Sequence, residues 1–538
     1  MQDEEAHNNL EHAEGTLAVD PRSVTWLSES NALILEELLL GKRVELRIKS
    51  VDNYGFGNKK VFVVRDGDDL HYLGNLIKMS TSLKTLILYG KMPSNDSFRD
   101  GLAGNKSIQV LKIIGDLGEE GDRNLAGLFQ NTHSLQKISL FSMSNISLES
   151  MKSFTSLLRQ RQIPSLKTIY LERIGWDVNR CIEFGRALSM QPQLERLDIH
   201  ESCFGDEEIV ALVESMAMGT NLKVLHFAHG SENENITEVG LRALSSLFQS
   251  NKFLREISLI WMHITDAGMT ALAPGLASLK SLKRLEMYGN NIGDEGLKAL
   301  AAASPKLHHL EKLDISHNNI GDEGLIALSN LLRCVSLQEL NLDDMRIDDV
   351  GAIALANALK ENKSLKKVTF WNFWTRTNNL TDVGLSAFER LLCDPSSVNN
   401  TYCSNHTLEE IGYIVPNGIP GQNDLVSSIN TLLDLNKKKD SKGCNVPICK
   451  ILASHSDVDM TPLLQWGLKL LPFVVAWFER AQSSQRYWIQ PRIAFEGRKL
   501  SAVYQFVGGF SHAVVNGYIR SIDKTRRVTS VINQDDEE

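Results

Sequence analysis

Ser281-Leu-Lys-Arg-Leu-Glu-Met-Tyr-Gly-Asn290-Asn-Ile-Gly-Asp-Glu-Gly-Leu297 is followed by Leu310-Glu-Lys-Leu-Asp-Ile-Ser-His-Asn318-Asn-Ile-Gly-Asp-Glu-Gly-Leu325, and then by Leu337-Gln-Glu-Leu-Asn-Leu-Asp-Asp-Met345-Arg-Ile-Asp-Asp-Val-Gly351. Each copy changes period halfway. Its first part alternates apolar and polar residues, as at Leu285 and Met287, which suits a strand with one buried face. Its second part spaces apolar residues three and four apart, as at Leu297, Leu300 and Ala301, which suits a helix. One copy is therefore a strand, a turn and a helix. Alone it cannot bury its apolar face, so copies must stack into a solenoid.

Working outward, the first leucine-type position of each unit falls at Leu83, Ile108, Leu135, Leu166, Leu194, Leu222, Leu254, Leu282, Leu310, Leu337 and Leu365, at intervals of 25 to 32 residues. The longer intervals hold surface insertions such as Gly230-Ser-Glu-Asn-Glu-Asn235, which loops tolerate cheaply. A worn twelfth unit starts at Leu408, after insertions at 374–379 and 394–405. Within the units, Asp266, Asp294, Asp322 and Asp382 stand where helices begin, where a carboxylate accepts bonds from free amides. Gly240, Gly268, Gly296, Gly324, Gly351 and Gly384 follow two residues on, and are expected to let each helix lie close on its neighbour. Asn105, Asn251 and Asn362 are expected to end helices in the left-handed conformation.

Flanking regions complete the organisation. Residues 1–20 are acidic and read as a disordered tail, and 21–82 as an N-terminal cap with a degenerate first repeat, including a helix around Trp26 to Leu39 and a strand at Val44 to Ile48. The array spans 83–414. A linker with a short helix at Leu425 to Leu435 occupies 415–459, and helices over 460–538, one opened by Pro462, are expected to cap the last repeat. A run with Trp477, Phe478 and Arg480 also has the composition of a surface helix.

Composition excludes several function classes. The charge of −9 gives no reason to expect nucleic acid as partner, and the apolar run from Leu470 to Phe478 is far short of the roughly 20 residues that span a bilayer. The acidic N-terminal residues do not resemble a signal peptide, and seven scattered cysteines favour a reducing, cytoplasmic setting. His455-Ser-Asp457 and Ser511-His512 lack the elements of a nucleophile site. Cys444 to Cys449 lacks zinc spacing, and His200, His226, His229 and His317, all on or beside the strands, read as surface contacts rather than metal ligands. Neither a catalytic site nor a cofactor is expected.

The pattern Leu-x-x-Leu-x-Leu-x-x-Asn-x-Ile-Gly-Asp-x-Gly-Leu at 282–297 and 310–325 resembles the ribonuclease-inhibitor-like class of leucine-rich repeats. The resemblance implies an α/β horseshoe, with an inner parallel sheet, outer helices and a concave face that binds a protein. It also implies that Asn290 and Asn318 hydrogen-bond the turn leaving the strand. The segment Leu468 to Arg480 is similar to tails of uncharacterised algal leucine-rich-repeat proteins. The chain lacks the cysteine-rich, strongly acidic composition of ribonuclease inhibitor, the long acidic tail of Ran GTPase activators and a phosphate-binding loop.

Residues alternating with the leucines face away from the helices. On them and just beyond the strands lie the candidate protein-binding residues: Tyr170, His200, His226, Trp261, Glu286, Tyr288, Asp314, His317, Asp343, Asp344 and Trp371. Aromatics offered to water concentrate binding energy at interfaces. The competing reading is a solvated sheet on which Arg284 neutralises Glu286 and Lys312 neutralises Asp314. The expected function is a noncatalytic scaffold or regulatory adaptor, acting as a monomer on a protein partner with a basic, partly apolar surface. The alternative, a Ran-type GTPase activator, needs an exposed arginine or asparagine at a repeat edge, for which Arg173 and Arg346 are candidates by position only.

Overall fold

The computed structural model describes residues 29–50, 61–64, 67–90, 95–115, 134–141, 148–159, 163–202, 204–216, 221–228, 236–370, 380–412, 423–437 and 446–455. They fall into two compact units, one drawn from 1–292 with 302–310, the other from 293–301 with 311–538. The expected N-terminal tail, the 460–538 cap, the insertion loops at 230–235 and 374–379, and Trp371 lie outside the described residues.

The first unit is built on strands β1 (Glu45–Ser50), β2 (Phe62–Val64), β3 (Thr85–Tyr89), β4 (Val110–Ile114), β5 (Lys137–Phe141), β6 (Thr168–Glu172), β7 (Arg196–His200), β8 (Val224–Ala228), β9 (Glu256–Ile260) and β10 (Arg284–Glu286). All pair in parallel. From β3 to β10 each strand sits beside its sequence neighbours, with equivalent repeat positions opposite, as at Leu197↔Leu225 and Leu225↔Ile257. β1 joins this register directly, with Glu45 opposite Thr85, so the segment around Val44 to Ile48 is a repeat strand in its own right. β2 adds beyond it, an element with no counterpart in the repeat pattern. Among the described residues, helices α1 (Glu29–Leu39), α2 (Gly67–Met79), α3 (Asp96–Gly104), α4 (Leu148–Arg159), α5 (Val178–Ser189), α6 (Asp206–Ser215), α7 (Glu238–Ser250) and α8 (Asp266–Leu276) belong to this unit.

The second unit carries β11 (Lys312–Asp314), β12 (Glu339–Asn341), β13 (Lys367–Thr369) and β14 (Glu410–Ile411), again parallel and in chain order. Its helices are most of α9 (Asp294–Ala303), then α10 (Asp322–Cys334), α11 (Asp349–Glu361), α12 (Asp382–Leu392), the short α13 (Val398–Cys403), α14 (Asn423–Lys437) and α15 (Val446–Ser454). β14 gives the worn repeat at Leu408 its strand. α13 forms inside the 394–405 insertion, and α15 occupies part of what reads in sequence as a linker. All twelve leading positions, from Leu83 to Leu408, are buried. This removal of apolar surface from water is what holds strand to helix in the described repeats.

Polar residues join one repeat to the next, and here two expectations are corrected. The aspartate opening a helix does not serve its own amides. Asp294 Oδ1 accepts from the backbone N–H groups of Gly321 at 2.7 Å and Gly324 at 3.0 Å, one repeat on. Asp206 accepts likewise from Thr237 and Gly240, Asp322 from Asp348 and Gly351, and Asp349 from Thr381 and Gly384. The own-helix cap is the residue before, as at Thr237, Asp348 and Thr381. This explains the glycines: a Cβ on Gly324 would lie 2.6 Å from Asp294 Oδ1, and one on Gly351 2.3 Å from Asp322 Oδ1.

The asparagines behave similarly. Asn105, Asn251 and Asn362 have extended backbones, with φ of −77°, −95° and −74°, not left-handed ones. Asn362 donates from Nδ2 to the carbonyl of Leu332 one repeat earlier, while its Oδ1 accepts from the backbone of Ser364 and Leu365. Asn405 repeats this on Leu359, Thr407 and Leu408, and Asn436 of α14 carries the row onward to the carbonyls of Asn405 and Leu408. Orphan carbonyls at helix ends thus find donors in the following repeat. Asn290 and Asn318 do hold the turns leaving the strands: Asn290 donates to Leu259 and Met287 and accepts from Met262 and Ile264. Asn318 donates to Ile315 and Ser316.

Candidate functional site

The strand face opposite the helices carries the alternating polar residues, and each unit has its own set. In the first unit an aromatic row zigzags across three strands: Phe141 to Tyr170 at 5.1 Å between centroids, and Tyr170 to His200 at 5.0 Å with nearly parallel rings. The Tyr170 hydroxyl donates to Glu172 at 2.6 Å. Its pKa is pushed up, first by burial and then by that carboxylate.

Beside this row Asp198 is only 3% exposed. Arg196 Nε donates to its Oδ2 at 2.7 Å, and Nδ1 of His226, its register partner on β8, lies 3.0 Å from its Oδ1. Burial opposes the charge on Asp198, but His226 and Arg196 more than offset it, so the carboxyl titrates below its ordinary value. Burial also lowers the pKa of His200, which favours its neutral form.

One register position further, the chain leaves each strand through a left-handed residue. Gly90, Gly115, Arg173, Glu201, Trp261, Gly289, His317 and Asp344 occupy equivalent places, with φ between 45° and 82°. The cause is a backbone bond that continues the ladder past the strand: Arg173 N–H donates to the carbonyl of His200, Glu201 to Ala228, Trp261 to Tyr288, and His317 to Asp343. Non-glycine residues are costly here and cluster at functional sites. Within each unit their side chains meet the equivalent residue of the next repeat. Arg173 pairs with Glu201 at 2.5 Å, and Trp261 lies over Gly289, where a Cβ would come within 2.5 Å of the indole. In the second unit His317 pairs with Asp344 at 2.8 Å.

The sequence-predicted residues therefore divide. Trp261 is 45% exposed and meets Tyr288 edge to face at 5.3 Å. Glu286 and Tyr288 are half-buried beside it, and Arg284 bonds Glu286 at 3.3 Å as expected. Tyr170, His200 and His226 form the cluster described above. In the second unit Asp314 accepts from Ser316 and Asn341, while Lys312 reaches across to Glu339 at 2.7 Å instead of to Asp314. Asp343 and His317 are half-buried, whereas Asp344, expected on the surface, is 5% exposed with its carboxylate turned to His317. Tyr89, at the end of β3, is buried. Arg173 is exposed but tied to Glu201, and Arg346 is exposed. Sequence reasoning missed the left-handed line, because no residue type marks it: glycine fills only some of its places.

Residues 278–301, 306–329 and 333–356 match the profile described as Leucine Rich repeat. The fold is a leucine-rich-repeat solenoid. No curated protein matches the sequence. Among solved structures, the chain is similar to an internalin of Listeria monocytogenes at 15% identity, with 75% of this chain and 100% of that chain covered and a TM-score of 0.37. It is also similar to TLR13, solved as a complex with ssRNA13, at 14% identity, with 62% and 52% covered and a TM-score of 0.30. Among the described residues no helix is long and apolar enough to cross a membrane.

Proposed function

We propose that this leucine-rich-repeat protein is a noncatalytic protein-binding scaffold, of the kind that serves as a regulatory adaptor, and that its partner docks on the strand face. The observation that carries this is Trp261, a large apolar ring nearly half exposed yet fixed by a left-handed backbone, by Gly289 beneath it and by Tyr288 at its edge. An aromatic already held in place loses little freedom on binding, so its contact area becomes affinity. Glu286, on the neighbouring strand β10, gives the same face negative charge, which suits a partner with a basic, partly apolar surface. Asp314 and Asp343 give the second unit an acidic set of its own.

The test is capture of partners from the native cell with the full chain, followed by comparison with Trp261→Ala. Binding should weaken by about 2 kcal/mol or more with the melting temperature unchanged. A partner held equally tightly by both proteins would place its site elsewhere on the molecule.

A further inference from the structure

We infer that Asp198, His200 and His226 bind a divalent transition-metal ion of the zinc type. This goes beyond the protein-docking reading, and stands on different residues from the Trp261 platform.

The placement comes from the register. Asp198 and His226 are opposite one another on β7 and β8, and His200, two residues after Asp198, shares their face. One oxygen and two ring nitrogens lie within 4.8 Å of one another, near the separation that ligands of a single ion require. All three sit on paired strands, so the site is held by the ladder rather than by a loop. One carboxylate and two imidazoles form a borderline donor set that suits zinc or its neighbours, whereas calcium and magnesium call for oxygen alone.

Hydrogen bonding points the same way. Asp198 is almost fully buried, and its Oδ1 faces only Nδ1 of His226 at 3.0 Å, the same ring nitrogen that Arg196 Nη2 approaches at 3.2 Å, so one nitrogen cannot satisfy both and Oδ1 is left without a donor of its own. Nε2 of His226 is likewise buried without a partner. Buried polar atoms are nearly always satisfied, so two neighbouring exceptions indicate a ligand. His200 is held against Tyr170 by stacking, which fixes its ring on the shared face. Glu172, opposite His200 on β6, adds negative charge.

Arg196 is the group that must yield. Its Nε bonds Asp198 Oδ2 and its Nη2 stands 3.2 Å from His226 Nδ1, so the guanidinium now supplies the positive charge at this place. Its side chain is 38% exposed and can swing into solvent, or keep the Oδ2 bond while Nη2 withdraws. An incoming ion therefore competes with Arg196. Three protein ligands leave a further coordination position for water or for a group from a bound molecule.

The experiment is calorimetric titration of the chelator-treated full chain with Zn2+, with Co2+ absorption reporting the ligand set. The tightest site is expected to be this one. Asp198→Asn and His226→Gln should each weaken it by about tenfold or more, and Arg196→Met should tighten it, while His263→Ala leaves it unchanged. Circular dichroism in the absence of metal checks each fold, and if Asp198→Asn does not fold, His200→Gln takes its place. Because the chain has 14 histidines and 7 cysteines, ions can bind elsewhere. Zinc affinity unchanged in folded Asp198→Asn and His226→Gln, or a weaker site in folded Arg196→Met, would overturn the assignment.

Discussion

Gly324 shows how much one hydrogen atom in place of a methyl group can decide. It sits two residues into α10, where glycine is a poor helix former, and the loss is accepted because Asp294 reaches into the space a side chain would fill. Gly324→Ala should cost about 1 to 3 kcal/mol, since the new methyl group must displace the carboxylate from the amides of Gly321 and Gly324. Asp294→Ala, which removes that inter-repeat cap, should cost about 1 kcal/mol. The two changes should not add. With the carboxylate gone, the extra methyl group crowds chiefly the Ile320 Cγ2 methyl, 2.7 Å away and able to shift, so the urea midpoint of the double variant should lie closer to that of Asp294→Ala than additivity gives. Simple additivity would mean that the glycine answers to something other than Asp294.

Among the elements, α15 carries the least expected side chain. Lys450 is fully buried, with its ammonium donating to the carbonyls of Leu392 at 2.6 Å and Asn405 at 3.1 Å. It thus supplies donors at the end of α12, where earlier repeats use asparagine. Burial pushes its pKa down to about 7, against roughly 10.4 in an unfolded chain. Between those values the unfolded chain holds the proton more firmly, so folding gains stability as pH rises from 7 towards 10 and loses it as pH falls through 7. Lys450→Met should remove this dependence. Thermal melts of parent and variant at pH 7 and pH 9 should therefore diverge, with the parent gaining relative to the variant at the higher pH. Parallel profiles would show that Lys450 is protonated throughout.

At the scale of the molecule, stability should be a sum over neighbours. Leu313 is 2% exposed on the single buried position of β11, and Leu313→Ala should cost about 2 to 5 kcal/mol by leaving a cavity. Repeats touch chiefly those beside them, so the loss should stay local at first. Hydrogen exchange should quicken around β11 and β12 while amides near Leu111, in the first unit, keep their protection. An equal rise at Leu111 and Leu313 would instead make the whole chain one cooperative unit. Charge on the face is a matter for encounter more than for folding: Asp343→Lys should slow association with a basic partner and reduce its salt dependence, with the melting temperature little altered.

The solenoid was legible in the residues alone because its cause is local. A leucine spacing that changes from two to three and four within each copy determines strand and then helix, and the recurrence of the copy determines stacking. The buried row from Leu83 to Leu408 follows directly. What only the tertiary structure decided is which backbone each polar side chain serves. Asp294 and Asp322 read as caps of their own helices, and Asn362 as a helix stop, yet all bond the adjacent repeat, some 30 residues away in the chain. The same offset brings Asp198 to His226, which looked isolated in sequence, and sets Trp261 over Gly289. Neighbouring repeats lie about 4.8 Å apart across the sheet. Side-chain partners are chosen at that distance in space, and periodicity along the chain carries no record of it.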